Sequence, residues 1–213
     1  MSGFYSFAVH VLKVVMPLWY KIETKGTELL PQDGGYLFVS NHRSMADPIL
    51  IGIQNSQTPF CFLAKQELFE SGFVGWLLKK LGAIAVDRGA GDLSPIEELS
   101  EKLKNGENAL IFPEGTRSKD GTLGRFKTGA ALIAAQTSVP VVPVGISFEG
   151  ELHFRSKICV QYGKPLSLPC ENPSDPRPAE LKAIKIAMTK AVAELLPPAL
   201  PDTQAEQKIQ DVD

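Results

Sequence analysis

Along this chain, short apolar runs alternate with segments whose apolar residues recur every three or four positions. Runs at residues 36–39, 60–64, 83–86, 109–112 and 158–162 have the length of buried strands. Helical patterns fall between them. Asp47-Pro48 has the form of a helix start, an N-cap acid followed by proline, with residues 49–53 as the helix's apolar face. After Lys65, the spacing of Phe69, Phe73, Trp76, Leu77 and Leu81 predicts a helix that Gly82 ends. Ser94-Pro95-Ile96-Glu97 is a capping box opening a helix to about Lys104, stopped by Asn105-Gly106. Phe126-Lys127-Thr128-Gly129 opens an alanine-rich helix through Gln136. Residues 139–146 are apolar but broken by Pro140 and Pro143, which predicts an edge or irregular strand. Residues 178–196 place Leu181, Ile184, Met188, Val192 and Leu195 on one helical face, and Pro197-Pro198 closes the pattern. The alternation predicts an α/β fold, a central and mostly parallel sheet flanked by helices, with binding groups on loops at strand ends.

The two ends differ from this middle. Residues 4–20 are almost wholly apolar, yet Ser6, His10, Lys13 and Pro17 recur on one narrow stripe, as in an apolar amphipathic helix. Roughly 20 uninterrupted apolar residues are wanted for a membrane span, and this segment is shorter and carries Lys13 and His10. It also lacks the basic start and small-residue cleavage site of a secretory signal. Two readings fit: a helix lying in a bilayer surface, edged by Trp19, Tyr20 and Lys21, or a first helix packed on the core. Residues 200–213 are polar and acidic, as in a disordered tail. The expected organisation is a membrane-interface helix over residues 1–22, an α/β domain over 23–199 and a tail over 200–213.

Composition narrows the partners. A chain of 213 residues with 44% hydrophobic content can bury one good core, and a net charge of −2 gives no reason to expect nucleic acid. Three cysteines without C-x-x-C spacing and three scattered histidines argue against a disulfide framework, a structural zinc site or a metal-dependent phosphohydrolase, so no metal is expected.

Candidate chemistry concentrates at residues 40–48, Ser-Asn-His-Arg-Ser-Met-Ala-Asp-Pro. His42 falls in a strand-to-helix loop, where the Asp47 carboxylate can fold back onto one imidazole nitrogen and leave the other to take a proton. Asp47 is also explained as a helix cap. No Gly-x-Ser-x-Gly elbow occurs and no cysteine lies nearby, so the attacking group belongs to the substrate, for instance a hydroxyl. His42, Lys65, Arg88 and Arg117 follow predicted strands. If those strands share a direction, a base meets three cationic groups at one sheet edge, which suits a substrate with a hydroxyl and a phosphate monoester. In the loop at residues 113–118, Gly115 admits close backbone approach, Thr116 and Ser118 offer hydroxyls, and Arg117 supplies a planar fork of donors. Arg117 also reads as a solvated loop charge.

Asn41-His42-Arg43-Ser44-Met45-Ala46-Asp47 resembles the N-H-x-x-x-x-D block of the glycerolipid acyltransferases, and Phe112-Pro113-Glu114-Gly115-Thr116-Arg117-Ser118 is similar to their F-P-E-G-T-R-S block. Val86-Asp87-Arg88 looks like their arginine-ended second block, and Val139-Pro140-Val141-Val142-Pro143-Val144 like their proline-containing fourth. Lys65 and the Phe126-Lys127-Thr128-Gly129 stretch fit bacterial members. The resemblance implies acyl transfer from coenzyme A or acyl carrier protein to the sn-2 hydroxyl of lysophosphatidic acid, giving phosphatidic acid at the cytoplasmic face of a membrane, without a cofactor; the four blocks leave another lysolipid or glycerol 3-phosphate open as acceptor, and the intact His42, Asp47, Glu114 and Arg117 speak against a membrane-binding protein without turnover. It further implies His42 as base oriented by Asp47, phosphate binding by Arg88, Arg117, Lys65 and Lys127, and an acceptor loop of Glu114, Gly115 and Thr116. Glu114 is expected to orient Arg117 or contact the acceptor. Backbone N–H groups near Gly115 or at the helix start after Asp47 are the expected oxyanion donors.

Overall fold

The computed structural model describes residues 3–30, 35–54, 60–87, 93–168 and 170–197. Arg88 and the tail lie outside the described residues. The first half contains α1 (Gly3–Trp19), β1 (Lys21–Lys25), a 3₁₀ turn (Thr27–Leu29), β2 (Leu37–Ser40), α2 (Asp47–Gly52), β3 (Phe60–Lys65), α3 (Gln66–Phe69), α4 (Gly72–Lys80) and β4 (Ala83–Val86). The second contains α5 (Ser94–Lys104), β5 (Asn108–Ile111), α6 (Thr128–Thr137), β6 (Val141–Ser147), β7 (Lys157–Tyr162) and α7 (Pro178–Ala193).

The seven strands form one sheet in the order β1-β7-β6-β2-β5-β3-β4, parallel throughout except for the β6–β7 pair. The carboxyl ends of β2, β3, β4, β5 and β6 therefore share one edge. Parallel strands are covered on both faces, and every residue of β2 and β5 is buried. Alternation sends Leu37 and Val39 to one face, against Leu99, Ala131 and Met188 of α5, α6 and α7. Phe38 goes to the other, with Leu50 and Ile51 of α2 and Met16 of α1.

Three expectations are corrected here. Residues 139–146 were expected as an edge or irregular strand, but β6 is central, between β2 and β7, with Val141 to Ile146 all buried. Pro143 is tolerated because its carbonyl, and with it the missing N–H, faces β7 where that ladder is ending: Gly163 N–H donates to Pro143 O just beyond the Val144–Tyr162 pair. The helix after Lys65 is broken in two, since α4 folds back so tightly that a Cβ on Gly75 would lie 2.2 Å from the Phe69 carbonyl oxygen. Residues 21–22, counted with the first helix, instead open an edge strand, β1, whose exposed Lys21, Glu23 and Lys25 alternate with half-buried Ile22 and Thr24.

The two readings of the first helix both hold part of the answer. Tyr5, Val9, Leu12 and Met16, at spacings of three and four, pack inward, and the Phe60 N–H donates to the Tyr5 hydroxyl at 3.1 Å. Phe7, Val11, Val14 and Leu18 form a second apolar stripe that is exposed. The polar stripe of Ser6, His10, Lys13 and Pro17 separates the two on one side. No helix among the described residues is long and apolar enough to cross a membrane.

Candidate active site

Leaving the sheet at Ser40, the chain enters a loop that ends at α2. Asn41 makes the exit: its side chain donates to the Ile146 carbonyl and accepts from the Ile146 N–H, both at 2.9 Å, as a further strand residue would. The next residue, His42, lays its ring on Phe112, the residue after β5, with centroids 4.1 Å apart and planes 20° from parallel. Its Nδ1 is 2.8 Å from Asp47 Oδ2.

Asp47 does not serve as the expected cap. It is the first residue of α2, Ala46 holds the cap position, and the carboxylate turns back into the loop. There Oδ2 also accepts the N–H groups of Arg43 and Ser44, each at 2.7 Å. An oxygen receiving two backbone donors meets Nδ1 as a third donor. The Nδ1 proton is thus fixed toward Asp47, and Nε2 keeps its lone pair. Asp47 is fully buried, and its Oδ1 takes no hydrogen bond among the described residues.

Glu114 holds the neighbouring loops to this one. Its Oε1 accepts the His42 N–H at 2.8 Å and its Oε2 the Gly124 N–H at 2.9 Å. Ser118 N–H adds a bond of 2.7 Å to the His42 carbonyl. Arg43, to which the sequence reading gave no role, lies across the same junction: its Nη1 donates to the Phe148 carbonyl, its guanidinium stands 4.2 Å from the Phe148 ring centre, and it packs on Gly121. The Asn41 and Arg43 partners are each 105 positions away.

Burial raises the Glu114 carboxyl above its ordinary 4.5, against the lowering effect of the His42 and Gly124 N–H donors. A raised carboxyl holds its proton more tightly folded than unfolded. It therefore adds stability below about pH 4.5, and that addition is lost as the pH climbs through the raised value. Relative to Glu114→Gln, which cannot titrate, the parent is expected to lose stability between about pH 4.5 and neutrality. Urea unfolding at both ends of that range measures the gap; a gap moving in the parent's favour with rising pH would show that the N–H donors outweigh burial.

The cationic groups are placed unevenly. Lys65 ends β3 at the same sheet edge as His42, but is exposed and paired with Glu67. Arg117 is exposed, with no ion-pair partner among the described residues. Lys127 lies along the loop at residues 113–118, its Nζ 2.6 Å from where a Cβ on Gly115 would stand, and Gly115 has a φ of +71°, the left-handed backbone that favours glycine. Exposed Thr116 follows it. Both expected sources of oxyanion donors are largely committed. Gly115 N–H donates to Phe112 O, and at the start of α2 Pro48 has no N–H while Asp47, Ile49 and Leu50 donate to Ser44 or Ala46 carbonyls. Thr116 N–H has no intramolecular acceptor among the described residues.

Next to the start of α2, that helix and α1 wall a small, open apolar cleft. Tyr5, Val9 and Leu12 line it from α1, Pro48 and Ile49 from α2, and Phe60 from β3.

The fold and this edge define a class: an α/β domain that carries a carboxylate-oriented histidine, beside loops with cationic residues, at the carboxyl edge of its parallel strands. The acyltransferase family model matches residues 21–147, and the chain belongs to that family. It is similar to the 1-acyl-sn-glycerol-3-phosphate acyltransferase of Bacillus subtilis, 34% identical over 165 residues, 76% of this chain and 82% of that one. It is also 36% identical over 137 residues to a chloroplastic 1-acyl-sn-glycerol-3-phosphate acyltransferase of Arabidopsis thaliana, covering 63% of this chain but 38% of the plant protein's length. The crystal structure of the 1-acyl-sn-glycerophosphate (LPA) acyltransferase PlsC from Thermotoga maritima superposes with a TM-score of 0.65 at 29% identity, covering 91% of this chain and 87% of that one.

Proposed function

We propose that the protein transfers an acyl group from a thioester, carried by coenzyme A or acyl carrier protein, to the sn-2 hydroxyl of 1-acylglycerol 3-phosphate, forming phosphatidic acid. The observation that carries this reading is the His42–Asp47 pair, with Nδ1 committed to the carboxylate and Nε2 left to face substrate. The names of the Bacillus and Thermotoga relatives support the acceptor.

In the proposed step Nε2 takes the hydroxyl proton as the oxygen attacks the thioester carbonyl. The tetrahedral adduct then expels the thiolate, which recovers that proton from His42. No acyl-enzyme forms and no cofactor enters. Arg117 and Lys127, with Lys65 and Arg88, hold the acceptor phosphate, and the Thr116 N–H, which has no acceptor among the described residues, is a donor open to the oxyanion. The apolar cleft beneath α1 takes an acyl chain. The amphiphilic substrates favour reaction at a membrane surface, read here as the cytoplasmic face, with α1 as the surface element. The test is thioester-dependent acylation of lysophosphatidic acid in mixed micelles; absence of product with either donor would overturn the assignment.

Arg117 is exposed, with no ion-pair partner among the described residues, so its removal is expected to cost the fold little. Arg117→Ala is expected to raise KM for the phosphorylated acceptor about tenfold or more, with kcat changed less. Steady-state kinetics at varied acceptor decide it, and an unchanged KM would reduce Arg117 to a loop charge.

A further inference from the structure

The outer stripe of α1 is not alone. α4, far away in the sequence, turns Phe73 and Trp76 to solvent, Phe73 at 74% exposure, beside the start of α1. Aromatic rings join the two helices: Phe4 meets Trp76 edge-on at 5.1 Å, and Phe73 stacks on Trp76 at 5.8 Å. At the other end of α1, about 25 Å away at 1.5 Å per residue, Trp19 meets Phe154 of the β6–β7 loop at 5.3 Å. The exposed apolar strip is thus bracketed by aromatic groups from three separate parts of the chain.

Basic groups stand at both ends of its rim, and the loop that bears Phe154 also carries exposed Glu149 and Glu151. Lys80 continues the α4 stripe of Phe73 and Trp76, with Lys79 beside it, and Lys21 and Arg155 flank the Trp19 end; all four are exposed. α1 itself carries no acidic residue. Apolar surface of this extent marks a partner, and aromatic rings beside lysine and arginine match the layer where acyl chains meet anionic headgroups. A second copy docking through a two-fold contact would bring the same basic rim against itself.

We propose that this whole face is the bilayer contact: α4 and the loop bearing Phe154 enter the headgroup layer together with α1, and anionic lipid holds the rim. The proposal deepens the lipid-substrate reading and rests on it. It fixes how the protein lies on the membrane, since three points define a plane where one helix defines only a line.

Trp19 and Trp76, the chain's two tryptophans, stand at opposite ends of this face. Trp19→Phe and Trp76→Phe each leave one reporter, to be mixed with phosphatidylcholine vesicles containing phosphatidylglycerol and lipids brominated along their acyl chains. Both reporters are expected to be quenched to a similar extent, and Phe73→Glu, at an exposed position, to weaken vesicle binding about tenfold. Quenching of Trp19 with Trp76 unmoved, and unchanged binding by Phe73→Glu, would overturn the three-part surface while leaving α1 as an anchor. Failure of the parent to bind the vesicles at all would overturn this proposal and the membrane reading beneath it; acylation in micelles is measured separately.

Discussion

His42→Ala is expected to lower kcat for acyl transfer by about 10²- to 10⁴-fold, the range that a positioned general base contributes. The loss should fall on kcat, because in the proposed step Nε2 matters when the hydroxyl gives up its proton, whereas the proposed phosphate contacts belong to other residues. The fold should survive. The bonds that fix the backbone at this position, to Glu114 Oε1 and from Ser118, use the His42 N–H and carbonyl rather than the ring. Asp47 keeps its two backbone donors. Single-turnover assays beside a urea melt separate the two effects. A folded variant within tenfold of the parent would end the general-base assignment.

Asp47→Asn is expected to fail differently, losing about 10²- to 10³-fold in activity together with about 3 kcal/mol of stability. Three N–H groups converge on Oδ2, and a neutral amide oxygen accepts them more weakly. The amide NH₂ would occupy the Oδ1 site, buried and without a partner, and there leave two donors unsatisfied. The loop that presents His42 should loosen in consequence. Combining the two substitutions should cost little more activity than His42→Ala alone, since Asp47 acts through the ring. Activity losses that multiplied would mean that Asp47 serves catalysis by a second route.

Much of this was legible in the sequence, and the exceptions have physical causes. The parallel strands showed as short apolar runs because burial on both faces removes polar residues from them. The His–Asp spacing showed because both members belong to one short loop. The proline-broken run was misread because the harm a strand proline does depends on which neighbour its missing N–H faces, and that is a property of sheet order. β1 was missed because an edge strand of five residues, charged at alternate positions, resembles a linker. Asp47-Pro48 marked a true helix start, but nothing local says whether an aspartate caps the helix or turns away from it. Asn41 and Arg43 stood in plain view beside His42. Their partners, Ile146 and Phe148, lie a whole α/β repeat and more away, and only the closed sheet brings them near.

α1 has apolar residues on its inner and its outer side, with the cleft beneath one and open surface on the other. Wetting a methylene costs about 0.8 kcal/mol, so a fatty chain of a dozen carbons drawn through water would meet a barrier of roughly 10 kcal/mol. A lipid slipping around such a helix passes from one oily wall to the next and need not shed its grease to be caught.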